Sequence, residues 1–219
     1  MKYEFVPGDE KVIAPGRTVK RIRALVAISY FASAGSLGGY IESENSLSQD
    51  GNAWIHGDAW IHGDAQIHGD AQIYGNARIH GNARIYGDAR IHGNARIYGD
   101  ARIHGDARIH GDARIHGNAR IYGDAWIHGD AWIHGDAQIH GDARIHGNGL
   151  IVWFSHVGSE NGTLTVYNTK DNSIEVTRGC FRGTIDEFLS ASEKKHDDQT
   201  HLEYRLLIEV AFSRITRSR

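Results

Sequence analysis

Residues 51–68 read GNAWIHGDAWIHGDAQIH, and the same hexapeptide, G-[DN]-A-x-I-[HY], continues to His146 in sixteen consecutive copies without an insertion. A degenerate copy follows at 147–152, where Gly149 replaces the alanine that every earlier copy carries. A fixed short period decides the fold before local propensity does, because every repeat must build the same unit and stack on its neighbours. The fold of the chain therefore follows from the structure that one hexad can form.

The last four positions of each hexad alternate between small apolar, variable, large apolar and polar residues. Alternation with period two indicates a short strand with one buried face, and the Gly-Asx pair indicates a turn. A hairpin meander could not keep one phase through sixteen copies, whereas a coil that always turns the same way stacks its strands in parallel. Alanine and isoleucine are then predicted to fill the interior, with the variable and His/Tyr positions outside.

The spacing of isoleucine and alanine, as in Ile55 to Ala59, is similar to that of the hexapeptide-repeat left-handed parallel β-helix proteins. This family includes many acyltransferases and the γ-type carbonic anhydrases. The resemblance implies three hexads per triangular coil, homotrimers, and active sites between neighbouring prisms. With strands about 4.8 Å apart, the prism should be roughly 25 Å long. The flanks at 37–43 and 179–185 resemble those of uncharacterised bacterial and prophage hexapeptide proteins that are often labelled transferases.

We therefore predict an all-β solenoid, a left-handed parallel β-helix with about three hexads per coil, over residues 51–152. Residues 1–50 are predicted to form an N-terminal β cap with strands and degenerate coils, and residues 153–219 a small C-terminal α+β cap. Caps are expected because the open end of a β-helix exposes an unpaired strand edge.

The C-terminal region carries clear local signals. Alternating residues at 163–167 and 173–177 predict a hairpin, and Thr184 and Thr200 each begin a Thr-x-x-Glu capping box that predicts a helix. Cys180 is the only cysteine, which excludes an intrachain disulfide, and we expect it to be buried.

The variable position carries the most information about function. Tryptophan occupies it near both ends of the repeat, and these four residues are the candidate binding surface: Trp54, Trp60, Trp126 and Trp132. Exposed tryptophans mark interfaces or ligand platforms, so self-association, packing under the caps, and stacking of sugars or bases are all open. Arginine occupies eight consecutive copies between them, at 78, 84, 90, 96, 102, 108, 114 and 120. Because the repeat also holds eleven aspartates, we expect salt-bridged rails rather than a groove that follows phosphates.

Histidine or tyrosine fills the last position of every hexad and should form three columns, since hexads three apart share a face. Ordinary ring ladders, metal binding between adjacent rungs and pH sensing are alternative roles for these columns. Stacked imidazoles should have lowered pKa values, so acidification is expected to destabilise the prism. No histidine stands out from the others, and we assign neither a metal site nor a catalytic residue.

Composition narrows the classes of partner. The formal net charge of −3 makes nucleic acid an unexpected partner. The N-terminus lacks the apolar core of a signal peptide and no apolar run could span a membrane, so a cytoplasmic location without membrane contact is expected.

Two functions from different classes fit the sequence. The unbroken repeat favours a non-catalytic structural or binding β-helix, a homo-oligomeric scaffold with a trimer favoured, a possible protein partner and no cofactor. The alternative is an acyltransferase of the hexapeptide class that uses acyl-CoA at an intersubunit site. The members of that class resemble one another in an extruded loop that breaks the repeat, and this chain has no such insertion between Gly51 and Gly147.

Overall fold

The computed structural model describes residues 1–218, and its centre is a parallel β-solenoid. The N-terminal region contributes β1 (Tyr3–Ala14), β2 (Arg17–Ala24), β3 (Leu37–Ile41) and a 3₁₀ turn (Glu44–Ser46). Each hexad then contributes one short strand, and these are numbered β4 to β19 in chain order: Trp54–Ile55, Trp60–Ile61, Gln66–Ile67, Gln72–Ile73, Arg78–Ile79, Arg84–Ile85, Arg90–Ile91, Arg96–Ile97, Arg102–His104, Arg108–Ile109, Arg114–Ile115, Arg120–Tyr122, Trp126–His128, Trp132–Ile133, Gln138–Ile139 and Arg144–His146.

The strands of the solenoid lie on three faces, because each one pairs in parallel with the strand three hexads away. The first face contains β4, β7, β10, β13, β16 and β19; the second contains β5, β8, β11, β14 and β17; the third contains β6, β9, β12, β15 and β18. Six strands on the first face correspond to about six turns. The predicted parallel solenoid with three hexads per turn is confirmed, while the hand of the coil and the boundaries at 50 and 152 stay predictions.

The interior of the prism is built from the two apolar positions of each hexad. Every repeat alanine and isoleucine is at most 1% exposed, and Ile97 pairs in register with Ile79 below and Ile115 above. Backbone hydrogen bonds run from rung to rung, as from the Arg96 amide to the Ala113 carbonyl at 2.8 Å. The period-two pattern therefore produces a dry core whose backbone donors and acceptors are satisfied by the adjacent turns.

The glycine of each hexad turns the chain at a vertex of the prism, where the backbone has positive φ. At Gly93 (φ +75°) an added Cβ would lie 2.8 Å from the Gly111 carbonyl oxygen, whereas at Gly147 (φ +66°) it would meet nothing within 4 Å. Positive φ favours glycine at both positions, but only at Gly93 does the adjacent turn also leave no room for a Cβ.

We expect Gly93→Ala to destabilise the protein by at least about 1 kcal/mol more than Gly147→Ala, because both pay the left-handed conformational penalty and only the first forces two backbones apart. Urea denaturation of the two variants and the wild type would measure the difference. Equal losses for the two variants would show that steric contact between rungs is not what requires glycine.

The N-terminal region closes one end of the prism. β1 and β2 form an antiparallel hairpin, β2 pairs with β3, and β3 joins the second face in parallel by pairing Ile41 with Ile61. Leu47 bridges to Ile67 in the same way. Ile41 and Leu47 thus replace repeat isoleucines in a degenerate first turn, and the entry into the regular repeat is two residues longer than a full turn.

The C-terminal cap closes the other end with an antiparallel sheet and two helices. Its strands are β20 (Ile151–Val157), β21 (Gly162–Asn168), β22 (Ile174–Arg178) and β23 (Phe181–Thr184). Helix α1 (Ile185–Lys195) starts at the predicted Thr184–Glu187 capping box.

Two predictions for this cap are wrong. Helix α2 (Asp198–Arg217) begins at the N-cap Asp197, whose Oδ1 accepts the Thr200 amide at 2.7 Å, because this carboxylate lies three residues before the expected start. Cys180 is exposed, since it follows the turn at Gly179. No helix within residues 1–218 is long and apolar enough to cross a membrane.

Candidate interaction surface

The four candidate tryptophans do not form one surface. Trp54 is fully buried, so of the roles left open for these residues it has packing under a cap and not a place on an exposed platform. The N-terminal region covers it: Tyr3 approaches in an edge-to-face contact at 6.4 Å, and Gly38 passes so close that an added Cβ would lie 2.7 Å from the indole. Trp60 is half-buried, and Trp126 and Trp132 are 40% and 42% exposed.

The three tryptophans that reach the surface hold arginine guanidinium groups against their rings. Arg78 lies 4.9 Å from Trp60, and Arg114 lies 4.8 Å from Trp132. Trp126 is flanked on successive rungs by two guanidinium groups, those of Arg108 at 4.9 Å and Arg144 at 4.7 Å. Cation–π attraction offsets part of the repulsion between stacked arginines, so these tryptophans stabilise the arginine columns as well as lining the surface.

The arginines of the repeat have no carboxylate partner within ion-pair distance among residues 1–218, so the predicted salt-bridged rails are wrong. Arginine stands in the middle of a face, whereas aspartate occupies the turn at a vertex, and the nearest rung neighbour of Arg96 is another arginine on each side. On the second face, Arg78, Arg96 and Arg114 form an arginine column that lies between Trp60 and Trp132.

The vertices of the prism differ in charge. At the vertex between the third and first faces, Asn52 is followed by five aspartates without interruption, and these form an acidic ridge: Asp70, Asp88, Asp106, Asp124 and Asp142. On the vertex between the second and third faces asparagine alternates with aspartate and donates to it, as from Asn82 Nδ2 to Asp100 Oδ1 at 2.8 Å and from Asn118 Nδ2 to Asp136 Oδ1 at 2.9 Å. The vertex between the first and second faces also mixes asparagine and aspartate.

The acidic ridge concentrates like charges. Desolvation raises the pKa of Asp88, and the adjacent carboxylates of Asp106 and Asp70 raise it further. Beside the ridge, the loop carrying Tyr30 and Phe31 borders a cavity of about 290 Å³ that also contacts Asp70, Asp88 and Asp106. Sequence inspection missed this ridge, although reading the Asx position at every third hexad would have shown it.

The His/Tyr columns form the predicted ladders on all three faces. His56 stacks on Tyr74 with ring centroids 4.1 Å apart, and His92 stacks on His110 at 4.7 Å. Burial lowers the pKa of His80 to about 4, with a smaller contribution from the charges of His62 and Arg17. Burial also lowers the pKa of six further imidazoles: His56, His62, His92, His110, His134 and His140. Within residues 1–218 no three metal-binding side chains are grouped so that they could hold an ion.

Comparison with known families agrees with this geometry. Residues 71–84, 95–111 and 113–129 match the family described as YdcK Beta solenoid repeat. The chain is a β-solenoid repeat protein. All three matched segments lie in the part of the solenoid that carries the consecutive arginines. The third segment also includes Trp126. No curated protein matches the chain.

Proposed function

We propose that this solenoid is a non-catalytic scaffold that self-associates and binds through the repeated surface of its prism. The observation that carries the proposal is the arginine column, in which Arg78, Arg96 and Arg114 repeat at strand spacing without carboxylate partners in residues 1–218. Like charges held in register raise the energy of the free protein, and an acidic partner would lower it.

The regularity of the surface supports binding over catalysis. A catalytic centre needs a few groups with distinct roles at one point, whereas each column here presents the same group on successive rungs. A regular array suits a partner that makes many equivalent contacts, because the contacts add along the prism. The resemblance to the hexapeptide class and to prophage-encoded members supports a homo-oligomer, with a trimer as its usual form.

The alternative is an acyltransferase with acyl-CoA bound in a cleft between subunits. Light scattering and sedimentation velocity would measure the subunit number, and titration calorimetry with acetyl-CoA and with CoA would test for a cofactor site. We expect a homo-oligomer with no heat of CoA binding beyond dilution. A monomer at all concentrations would contradict the scaffold, and saturable CoA binding would favour the enzyme.

A further inference from the structure

We infer that the arginine column of the second face is the docking surface for the acidic ridge of a second copy of this chain. This inference rests on the proposed self-association and names the surfaces that carry it. The column is Arg78, Arg96 and Arg114, and the ridge runs from Asp70 to Asp142.

Both surfaces are accessible, and within residues 1–218 their charged groups form no ion pairs. Arg78 is exposed, Arg96 and Arg114 are half-buried, and the Arg114 guanidinium lies against Trp132. On the ridge, Asp88, Asp106 and Asp124 are exposed and form no ion pair with any residue from 1 to 218. Docking would relieve the repulsion within each column at the same time.

The repeat spacing of the two surfaces is the same because both belong to the same solenoid. One arginine and one ridge aspartate occur per turn, and turns are stacked at parallel-strand spacing of about 4.8 Å. Asp70, Asp88 and Asp106 lie in the same turns as Arg78, Arg96 and Arg114, each aspartate eight positions before its arginine. A sideways shift of one prism against another therefore brings three opposite-charge pairs together in register.

The loop beside the ridge adds a pocket of suitable chemistry. The cavity next to Asp88 is lined by three ridge carboxylates, by Tyr30 and Phe31, and by two arginines of the first face, Arg90 and Arg108. The three carboxylates of this cavity outnumber its two guanidinium groups. Carboxylates accept hydrogen bonds from guanidinium and aromatic rings attract its charge, so one further arginine side chain from a neighbour would balance the charge of the cavity. Tyr30, which is 80% exposed, is placed to cover that arginine.

The two surfaces lie on opposite sides of the prism. The ridge is the vertex between the third and first faces, and the vertex of a triangle that joins two sides is opposite the remaining side, here the second face. The contact is therefore heterologous, and each added copy leaves one free ridge and one free column. Such a contact extends as an open row unless a rotation closes it, so the row differs from the trimer that family resemblance implies.

Matched triple variants test the surfaces. Asp88→Asn/Asp106→Asn/Asp124→Asn removes the three central charges of the ridge, and Asp64→Asn/Asp100→Asn/Asp136→Asn makes the same charge change on another vertex. Arg78→Gln/Arg96→Gln/Arg114→Gln neutralises the column, with Arg84→Gln/Arg102→Gln/Arg120→Gln on the third face as its control. Asn and Gln already occupy these positions elsewhere in the repeat, as at Asn118 and Gln138, so the folds should be retained.

Sedimentation velocity at about 0.05 M and about 0.5 M NaCl gives the readout, since exposed charge pairs are largely screened at the higher salt. We expect the wild type and both control variants to associate at low salt. The ridge and column variants should associate at least tenfold more weakly, and a mixture of these two should recover a complex that stops at two chains. Recovery on mixing shows that the column and the ridge bind each other, because each variant keeps the half that the other has lost.

Association that is equally strong in the ridge, column and control variants would overturn the inference while leaving the proposed scaffold intact. Monomers under all conditions would contradict both. In a third outcome the wild type stays monomeric and binds a short single-stranded DNA, and the column variant loses that binding. This result would assign the arginine column to nucleic acid instead.

Discussion

Replacing Ile97 by alanine is expected to lower the free energy of unfolding by roughly 2–5 kcal/mol. Ile97 is fully buried in the middle of the second face, between Ile79 and Ile115. The rungs above and below cannot collapse into the space left by the missing atoms, because backbone hydrogen bonds hold them, including His80 amide to Ile97 carbonyl at 3.0 Å and Tyr98 amide to Ile115 carbonyl at 2.8 Å. The cost should therefore include both the lost burial and a persistent cavity.

Guanidinium denaturation followed by circular dichroism would measure this loss. Ile97→Val is the matched control, since it removes one methylene from the same site and should cost about 0.5–1.5 kcal/mol. A loss below about 1 kcal/mol for Ile97→Ala would mean that the turns shift to close the cavity. Because solenoid turns contact only their neighbours, the equation fitted to the denaturation curve should include a partly unfolded state.

Acidification from about pH 7.5 to about pH 4.5 should destabilise the protein, with His80 alone contributing on the order of 2 kcal/mol after allowance for solvent screening. The pKa of His80 is lowered from 6.5 to about 4, chiefly by burial and then by His62 and Arg17. An imidazole with a lowered pKa binds its proton less readily in the folded state. The unfolded chain therefore takes up more protons between pH 4 and 6.5, and the free energy of unfolding falls as the pH drops through that window.

Thermal denaturation at a series of pH values would test this effect. His80→Tyr is the informative variant, because tyrosine already fills this position at Tyr98 in the same column and keeps the ring stack without titrating near neutral pH. It should flatten the pH dependence of the midpoint. A midpoint for the wild type that does not move between the two pH values would contradict the prediction.

The regular part of the fold could be predicted because one interaction repeats. Alternation in the hexad predicts which side chains enter the core, and reading every third hexad predicts the ring ladders, such as His62 on His80 at 4.6 Å. The same reading places Trp60 and Trp132 on one face. These results follow from local periodicity and need no knowledge of the chain outside the repeat.

Local patterns do not predict the features that distant segments or unequal neighbours decide. Trp54 occupies the same position as Trp126, yet it is buried because Tyr3 and Gly38 fold over it from the N-terminal region. Similar numbers of arginine and aspartate in the repeat suggest arginine–aspartate pairing, but the arginines lie on the faces and the aspartates at the vertices. The start of α2 was misplaced because Asp197 is as good an N-cap as Thr200 and comes first.

The three-face arrangement also sets the rule by which such a chain can change length. Trp54 and Trp126 lie on the same face, 72 positions apart, as do Trp60 and Trp132. That interval is four whole turns of three hexads, so gain or loss of such a segment would keep both caps in the same rotational setting. Loss of a single hexad would instead swing the C-terminal cap by one face around the prism axis and misalign every column between them. Growth in units of one turn is therefore the only change in length that leaves the charge pattern of the surface intact.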